Sequence, residues 1–276
     1  MTEKNILSRL KKTKSYILTR IKTKPKTAVI AGSGLCDIKN LIQNQKTIPY
    51  SKIPYFLKTT IAGHKGELVC GKIGSTDILL LNGRFHYYEG YTMQDITYPV
   101  RVLKELGVET IIITCAVGAV NKKYSVGDIV LIKDHINFMF DNPLIGRHFE
   151  YFGERFPDIS TVYNTNLINK IKKTSVANKI KLQTGIYCAV RGPSYETASE
   201  ISAFRKLGAD VIGMSLVPEA IVAGQMKMKV LALSYVANTA TGISKQKITH
   251  QEVLDTGKKT GPTVANLIKA VIKDIR

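Results

Sequence analysis

Short apolar runs that stop on glycine, serine or another small residue alternate along this chain with stretches of 3.6-residue apolar periodicity. Strands separated by helices must be joined by crossovers, which leads to a helix-covered sheet with parallel strands. The pattern predicts strands over Thr27–Ala31, Asp77–Leu81, Glu109–Thr114, Asp128–Ile132, Tyr187–Val190, Asp210–Met214 and Lys229–Tyr235. It predicts helices over Ile96–Leu106, Thr197–Leu207 and Glu219–Met226, and a terminal amphipathic helix over Gly261–Ile275. Gly107 and Gly208 fall where helix C-terminal caps are expected. No internal repeat, low-complexity tract or Pro/Gly/Ser linker interrupts the series. The expected architecture is one α/β domain over residues 1–276, with a twisted, mixed but mainly parallel sheet flanked by helices.

One stretch departs from the alternation. Residues 134–160 carry His135, Asn137, Phe138, Phe140, Phe149, Tyr151, Phe152 and Phe156, with Pro143 and Pro157 and little periodicity. A long aromatic loop of this kind is expected to be functional or an interface.

Composition narrows the class. A hydrophobic fraction of 44% and a mean hydropathy of −0.01 suit an ordinary globular protein. No apolar run approaches the roughly 20 residues that span a bilayer, and no signal-peptide pattern opens the chain. Cys36, Cys70, Cys115 and Cys188 are scattered, without the spacing of a zinc site or a disulfide framework. Three lie in apolar, strand-like contexts, so a cytoplasmic protein with reduced thiols and no metal is expected.

The net charge of +19 favours anionic partners. Part of it is local: before Pro25 stand Lys4, Arg9, Lys11, Lys12, Lys14, Arg20, Lys22 and Lys24 against Glu3 alone. Ile6, Leu10, Ile17 and Ile21 fall at helical spacing there, which predicts a basic amphipathic helix over 1–24 docked on the domain. A mitochondrial presequence has similar composition, but this helix runs straight into the first core strand. No zinc knuckle, helix-turn-helix or aromatic-interleaved basic motif supports binding of nucleic acid.

Chemistry gathers at strand ends. Arg84 and His86 stand two apart beyond a buried strand and so point the same way, as an oxyanion site requires. Gly32-Ser33-Gly34 follows another strand; it fits a phosphate cradle or a plain tight turn, but Asp37 breaks the dinucleotide fingerprint. Thr114 to Ala119 is a second small-residue stretch, suited to a ligand at the sheet edge or to close packing. Gly192-Pro193-Ser194-Tyr195-Glu196-Thr197 sets an aromatic ring beside a carboxylate. That pair suits a planar ring with N–H groups, though Glu196 also fits the acid at a helix start. Ser215 adds a hydroxyl, and Asn238 an amide that both donates and accepts.

Taken in order, Gly32-Ser33-Gly34-Leu35, Gly63-His64-x-Gly66, Gly83-Arg84-Phe85-His86-x-Tyr88-Glu89-Gly90, Gly127-Asp128-Ile129, Asp134-His135-Ile136-Asn137, Arg155-Phe156-Pro157, Gly192 to Thr197, Gly213-Met214-Ser215, Val217-Pro218-Glu219, Asn238 and His250-x-Glu252-Val253-Leu254 form a pattern. The chain resembles the purine nucleoside phosphorylases of the trimeric, low-molecular-mass kind from about Ile17 to Val271. The resemblance implies reversible phosphorolysis of 6-oxopurine (deoxy)ribonucleosides, with inorganic phosphate as co-substrate and no cofactor. It implies phosphate on Ser33, His64, Arg84, His86, the Ala116 N–H and Ser215. It puts the purine on Tyr195, Glu196 and Asn238, and the ribose beside Tyr88, Met214 and His250, with Phe156 entering from a neighbouring subunit of a homotrimer. Asn238, Glu196 and His86 would be the catalytic groups, with Glu89 holding the His86 ring. Cys36, Cys115, Val117 and Ala119 depart from the family's turns, and Ala119 would be strained if that position needed positive φ. A methylthioadenosine- or xanthosine-type phosphorylase and, more distantly, a non-catalytic basic nucleic-acid-binding protein are the alternatives.

Overall fold

The apolar runs assemble into one nine-stranded sheet, in a computed structural model that describes residues 2–35, 37–59, 65–243 and 248–274. In chain order the elements are α1 (Glu3–Leu18), β1 (Thr27–Ala31), α2 (Asp37–Asn40), β2 (Gln43–Pro49), β3 (Glu67–Ile73), β4 (Thr76–Asn82), α3 (Met93–Glu105), β5 (Thr110–Ala119), β6 (Ile129–Asn137), α4 (Thr165–Ala177), β7 (Leu182–Ala189), α5 (Ala198–Lys206), β8 (Val211–Gly213), α6 (Val217–Gln225), β9 (Lys229–Thr239) and α7 (His250–Asp274). The strand order is β2-β3-β4-β1-β5-β8-β7-β6-β9, and β9 also pairs with β5. The last five strands therefore close into a ring. Five pairings are parallel and four antiparallel, so the sheet is more evenly mixed than the alternation predicts.

Successive strand residues alternate between two cores. Ala28, Ile30, Ile111 and Ile113 pack with α1, α3 and α6, whereas Val29, Ala31 and Ile112 pack with α2, α4 and α7. Each such valine or isoleucine side chain, fully buried, is worth roughly 1.5–3 kcal/mol. This double burial is why the central strands read as continuous apolar runs rather than as alternating ones. α1 ends at Leu18, short of the 1–24 span read from the sequence; Leu10 and Ile17 are buried, as is Ile21 beyond its end, Lys4, Lys11 and Lys12 are exposed, and the Thr13 hydroxyl lies 2.8 Å from the Tyr98 hydroxyl of α3.

Several boundaries differ from the sequence reading. β9 runs on to Thr239, so Asn238 lies inside a strand and not after one. β6 reaches Asn137, so the aromatic stretch begins as strand. Gly257, Gly261 and Pro262 break the apolar pattern of α7, which starts eleven residues before the expected Gly261. α2, β2, β3 and α4 are additional: α2 is a single turn, β2 is an edge strand in which only Ile48 is buried, and α4 buries only Leu167 and Ile171 among its large apolar residues. Cys36 and the Gly63-His64 pair lie outside the described residues. Cys70, Cys115 and Cys188 are free and buried, and no helix among the described residues is long and apolar enough to cross a membrane.

The turn after β1 is clasped from behind by α7. Gly34, at φ 76°, touches Gly257 backbone to backbone: a Cβ added at Gly257 would sit 2.6 Å from the Gly34 Cα. The buried Tyr235 hydroxyl donates to the carbonyls of Ser33 (2.9 Å) and Val253 (3.1 Å), tying turn and helix together. Glycine to alanine inside a helix ordinarily stabilises by about 0.5–1 kcal/mol. Gly257→Ala is expected to do the reverse, costing about 1–3 kcal/mol by overpacking. Urea unfolding measures it, and a raised midpoint would refute the contact.

Candidate active site

β5 creates the opening in which the site forms. Its register with β1 ends at Ile30↔Ile113, and its register with β8 begins at Gly118↔Ile212. Between them β1 turns away through Gly32-Ser33-Gly34, with the Thr114 hydroxyl donating to Ile30 O (3.1 Å) and accepting from Gly32 N (3.3 Å). A cavity of about 430 Å³ fills the gap, lined by Ser33, Arg84, His86, Ala116 and Ser215 among others. Two residues along β5, about 7 Å at the usual strand rise, Gly118 lines the same cavity beside Asn238. A bulge between Val117 and Gly118 pairs Gly118 with Asn238 rather than Ala237, so consecutive residues Ala237 and Asn238 both line the cavity.

The cationic end is built by the turn after β4. Phe85 packs inward on Tyr50 (5.4 Å between ring centroids) and Tyr91 (6.4 Å), which turns its neighbours Arg84 and His86 to the other side. Both are nearly fully buried. The Arg84 Nη1 donates to Ser215 Oγ at 2.9 Å, and its Nη2 lies 3.3 Å from Glu219 Oε2. Burial pushes the Glu219 carboxyl up from its usual range, while Arg84 opposes that shift. The His86 ring stacks on Tyr88 (4.7 Å, 14°), and its Nδ1 lies 3.2 Å from Glu89 Oε1, which also accepts from the His86 backbone N–H (2.8 Å). Burial lowers the His86 pKa despite that carboxylate, so the imidazole is neutral at pH 7.

Ser215 is placed by strain. Val217 N donates to Ser215 O at 2.7 Å around Leu216 at φ 66°, ψ −54°, a three-residue turn that a non-glycine residue adopts only at a cost. Leu216 is held there by complete burial, and the Ser215 N–H donates to the buried Tyr187 hydroxyl (3.2 Å).

The same cavity is lined by Tyr195, Glu196 and Asn238. Tyr195 is 41% exposed. Glu196 is half-buried, and burial raises its pKa. Asn238 Oδ1 lies so close over Gly118 that an added Cβ would approach it to 3.1 Å. Tyr88, Met214 and His250, the first residue of α7, complete the wall. The structure thus gathers every residue singled out from the sequence except two. Phe156 is 87% exposed and away from its own chain's cavity, and His64 lies outside the described residues. Ala119 is an ordinary strand residue paired with Val211 and Thr239, and it is not among the residues at positive φ, so its side chain is unstrained.

Glu219 entered the sequence pattern only within Val217-Pro218-Glu219 and was given no role there. Its signal was present: one acid near the start of a mostly apolar, largely buried helix. A charge in that position needs a partner.

The matches to known proteins fit this geometry. The model of the phosphorylase superfamily matches residues 26–273. Purine nucleoside phosphorylase 1 of Bacillus subtilis is 42% identical over 264 residues, covering 96% of this chain and 97% of that one. A schistosome purine nucleoside phosphorylase solved with hypoxanthine superposes with a TM-score of 0.93 at 33% identity, over 98% of both chains. A Schistosoma mansoni purine nucleoside phosphorylase solved with adenosine gives 0.94 at 33% identity, again over 98% of each. The chain belongs to the phosphorylase superfamily and, within it, to the purine nucleoside phosphorylases.

Removing the carboxylate that faces Arg84 tests the charge balance. Glu219→Gln is expected to lower stability by on the order of 3 kcal/mol, because a buried guanidinium loses its counter-charge. An unchanged urea midpoint would mean that Arg84 is neutralised elsewhere.

Proposed function

We propose that this cavity carries out the reversible phosphorolysis of 6-oxopurine nucleosides, giving free base and (deoxy)ribose 1-phosphate. The observation that supports it is one cavity lined both by groups suited to an anion (Ser33, Arg84, His86, Ser215) and by groups suited to a heterocycle (Glu196, Asn238), with Ala116 and Gly118 of its wall about 7 Å apart along β5. A ribose fits between them, beside Tyr88, Met214 and His250. The buried Arg84 carries the phosphate charge, and the Ala116 N–H and two serine hydroxyls supply neutral donors. The neutral His86, held beside Glu89, can accept a hydrogen bond from the hydroxyl of a monohydrogen phosphate at a ring nitrogen.

The chemistry then follows from charge. The glycosidic bond stretches toward an oxocarbenium ion, which the phosphate dianion stabilises before it attacks C1′. Negative charge collects on the departing purine, where Asn238 serves N7 and O6 and Glu196 accepts N1–H. Losing one preplaced group of this kind costs about 10²–10³ in rate. The exposed Phe156 is assigned to the ribose pocket of a neighbouring subunit in a homotrimer. The buried free thiols Cys70, Cys115 and Cys188 support a reducing, cytoplasmic setting for this reading.

Hypoxanthine release from inosine is expected only with phosphate present, and to collapse in Arg84→Ala. Release without phosphate would indicate a hydrolase instead. Specificity depends on Asn238: its amide matches O6 and N7–H of a 6-oxopurine but meets a second donor in the adenine amino group. Since the schistosome proteins were solved with a 6-oxopurine in one case and adenosine in another, turnover rather than occupancy is the discriminating readout. The kcat/KM for adenosine is expected to lie about 10³-fold or more below that for inosine, with the gap narrowing in Asn238→Asp. Equal values for the two nucleosides in the unmodified protein would sink this account of specificity.

A further inference from the structure

Away from the active site, a second cavity of about 130 Å³ lies among α1, α3, the end of α6 and the segment 143–155. Its charge is one-sided. Arg9, Arg101, Arg147 and Arg155 line it, with His148, against the single carboxylate of Asp95. That carboxylate is engaged at the start of α3, where it accepts from Thr92 Oγ1 at 2.6 Å.

Arg101 is the informative member. It projects from α3 and is only 9% exposed. Its Nη1 reaches Gln225 Oε1 at 3.5 Å, the outer limit of a hydrogen bond, and Met226 Sδ at 4.0 Å, while its guanidinium lies 4.1 Å from the centre of the Phe152 ring. Among the described residues no carboxylate pairs with it. A guanidinium has five N–H donors, and one distant amide oxygen leaves most of that capacity unused. Burial without a counter-charge lowers its pKa to about 10, and such burial is unfavourable unless an anion completes it. The other arginines are set around the same space. Arg9 lies over the Tyr55 ring at 4.6 Å, Arg155 donates to Gly146 O at 2.7 Å, and Arg147 is exposed with no ion pair among the described residues.

We infer that this cavity is a second anion site, which takes one phosphoryl group as orthophosphate or as the head of a small phosphomonoester. Planar forked donors on several sides suit a tetrahedral oxyanion. A volume under a third of the nucleoside-sized cavity excludes a whole nucleotide. Two of the arginines come from the 143–155 segment and two from α1 and α3, so a bound anion fastens that segment to the helices. Arg155 immediately precedes Phe156; where Phe156 serves a neighbouring subunit, as in the reading above, occupancy of this site would steady it.

Equilibrium dialysis with labelled orthophosphate at low ionic strength tests the site itself, whatever reaction the enzyme performs. The intact protein is expected to bind two phosphates per chain. Arg101→Leu and Arg84→Ala should each retain one, and the double variant none. Arg147→Glu, a change at the surface that decides the matter where the buried variants fail to fold, should leave one tight site and weaken the other at least tenfold. In Arg84→Ala, displacement of phosphate by glycerol 3-phosphate would show that phosphomonoesters are accepted; no displacement would confine the site to the free ion. A single phosphate per chain, lost in Arg84→Ala alone, would overturn the inference. So would a second phosphate indifferent to both Arg101→Leu and Arg147→Glu.

Discussion

Along one edge β5 is paired with β9 from Thr110 to Ala119, whereas along the other it holds β1 only as far as Ile113 and β8 only from Gly118. Everything at the active site follows from that change of partner. Where β1 departs, its next residues make the Gly32-Ser33-Gly34 turn; where β8 arrives, its end brings in Ser215. The stretch between them faces a cavity instead of a strand, and backbone groups that a sheet would consume are left at its wall. Ligand binding beyond the ends of strands is the general habit of α/β sheets. Here one long strand supplies the position by serving two neighbours in succession.

Holding such a gap open requires rigid support on its far side, and the structure places its least forgiving contacts there. Gly34 and Gly257 meet without room for a methyl group, Tyr235 bridges the turn to α7, and Leu216 is fixed in a strained turn by burial. Charge is handled with similar economy. Arg84 is buried between Ser215 and Glu219, so its positive charge is partly balanced before any ligand enters. The guanidinium is therefore oriented in advance, which is the condition for electrostatic preorganisation. Burial sets the titration of the neighbours as well, keeping His86 neutral and lifting Glu196.

The central strands and the shared side of Arg84 and His86 were readable from the sequence because both rest on short-range rules; most other site residues came only from the family resemblance. Double-sided burial makes an apolar run, and period two puts Arg84 and His86 on one side with Phe85 on the other. What escaped was decided by tertiary context. β2 reads as polar because only Ile48 is buried on that edge strand, α4 lacks a broad apolar stripe, and α7 hides its start behind Gly257, Gly261 and Pro262. The closure of β5 through β9 into a ring has no local signature at all. Nor has the bulge that turns Asn238 toward the ligand, since the extra residue is defined only by the strand opposite. Glu219 needed Arg84, 135 positions away in sequence, to become meaningful.

The net charge of +19 looks at first like a property of the whole surface. Its two cationic residue types are nevertheless distributed differently. Of the 40 basic residues nine are arginines. Five of those nine line the two cavities, and among the described residues no lysine lines either. Lysine, a strongly hydrated point charge on a flexible stem, occupies the solvated face of α1 and similar surfaces; arginine, planar, forked and more readily stripped of water, lines the cavities. The lysines then act at long range, raising the local concentration of anions around the molecule, while the arginines act at contact. A chain that had drifted toward basic composition without function would have no reason to keep the two types apart.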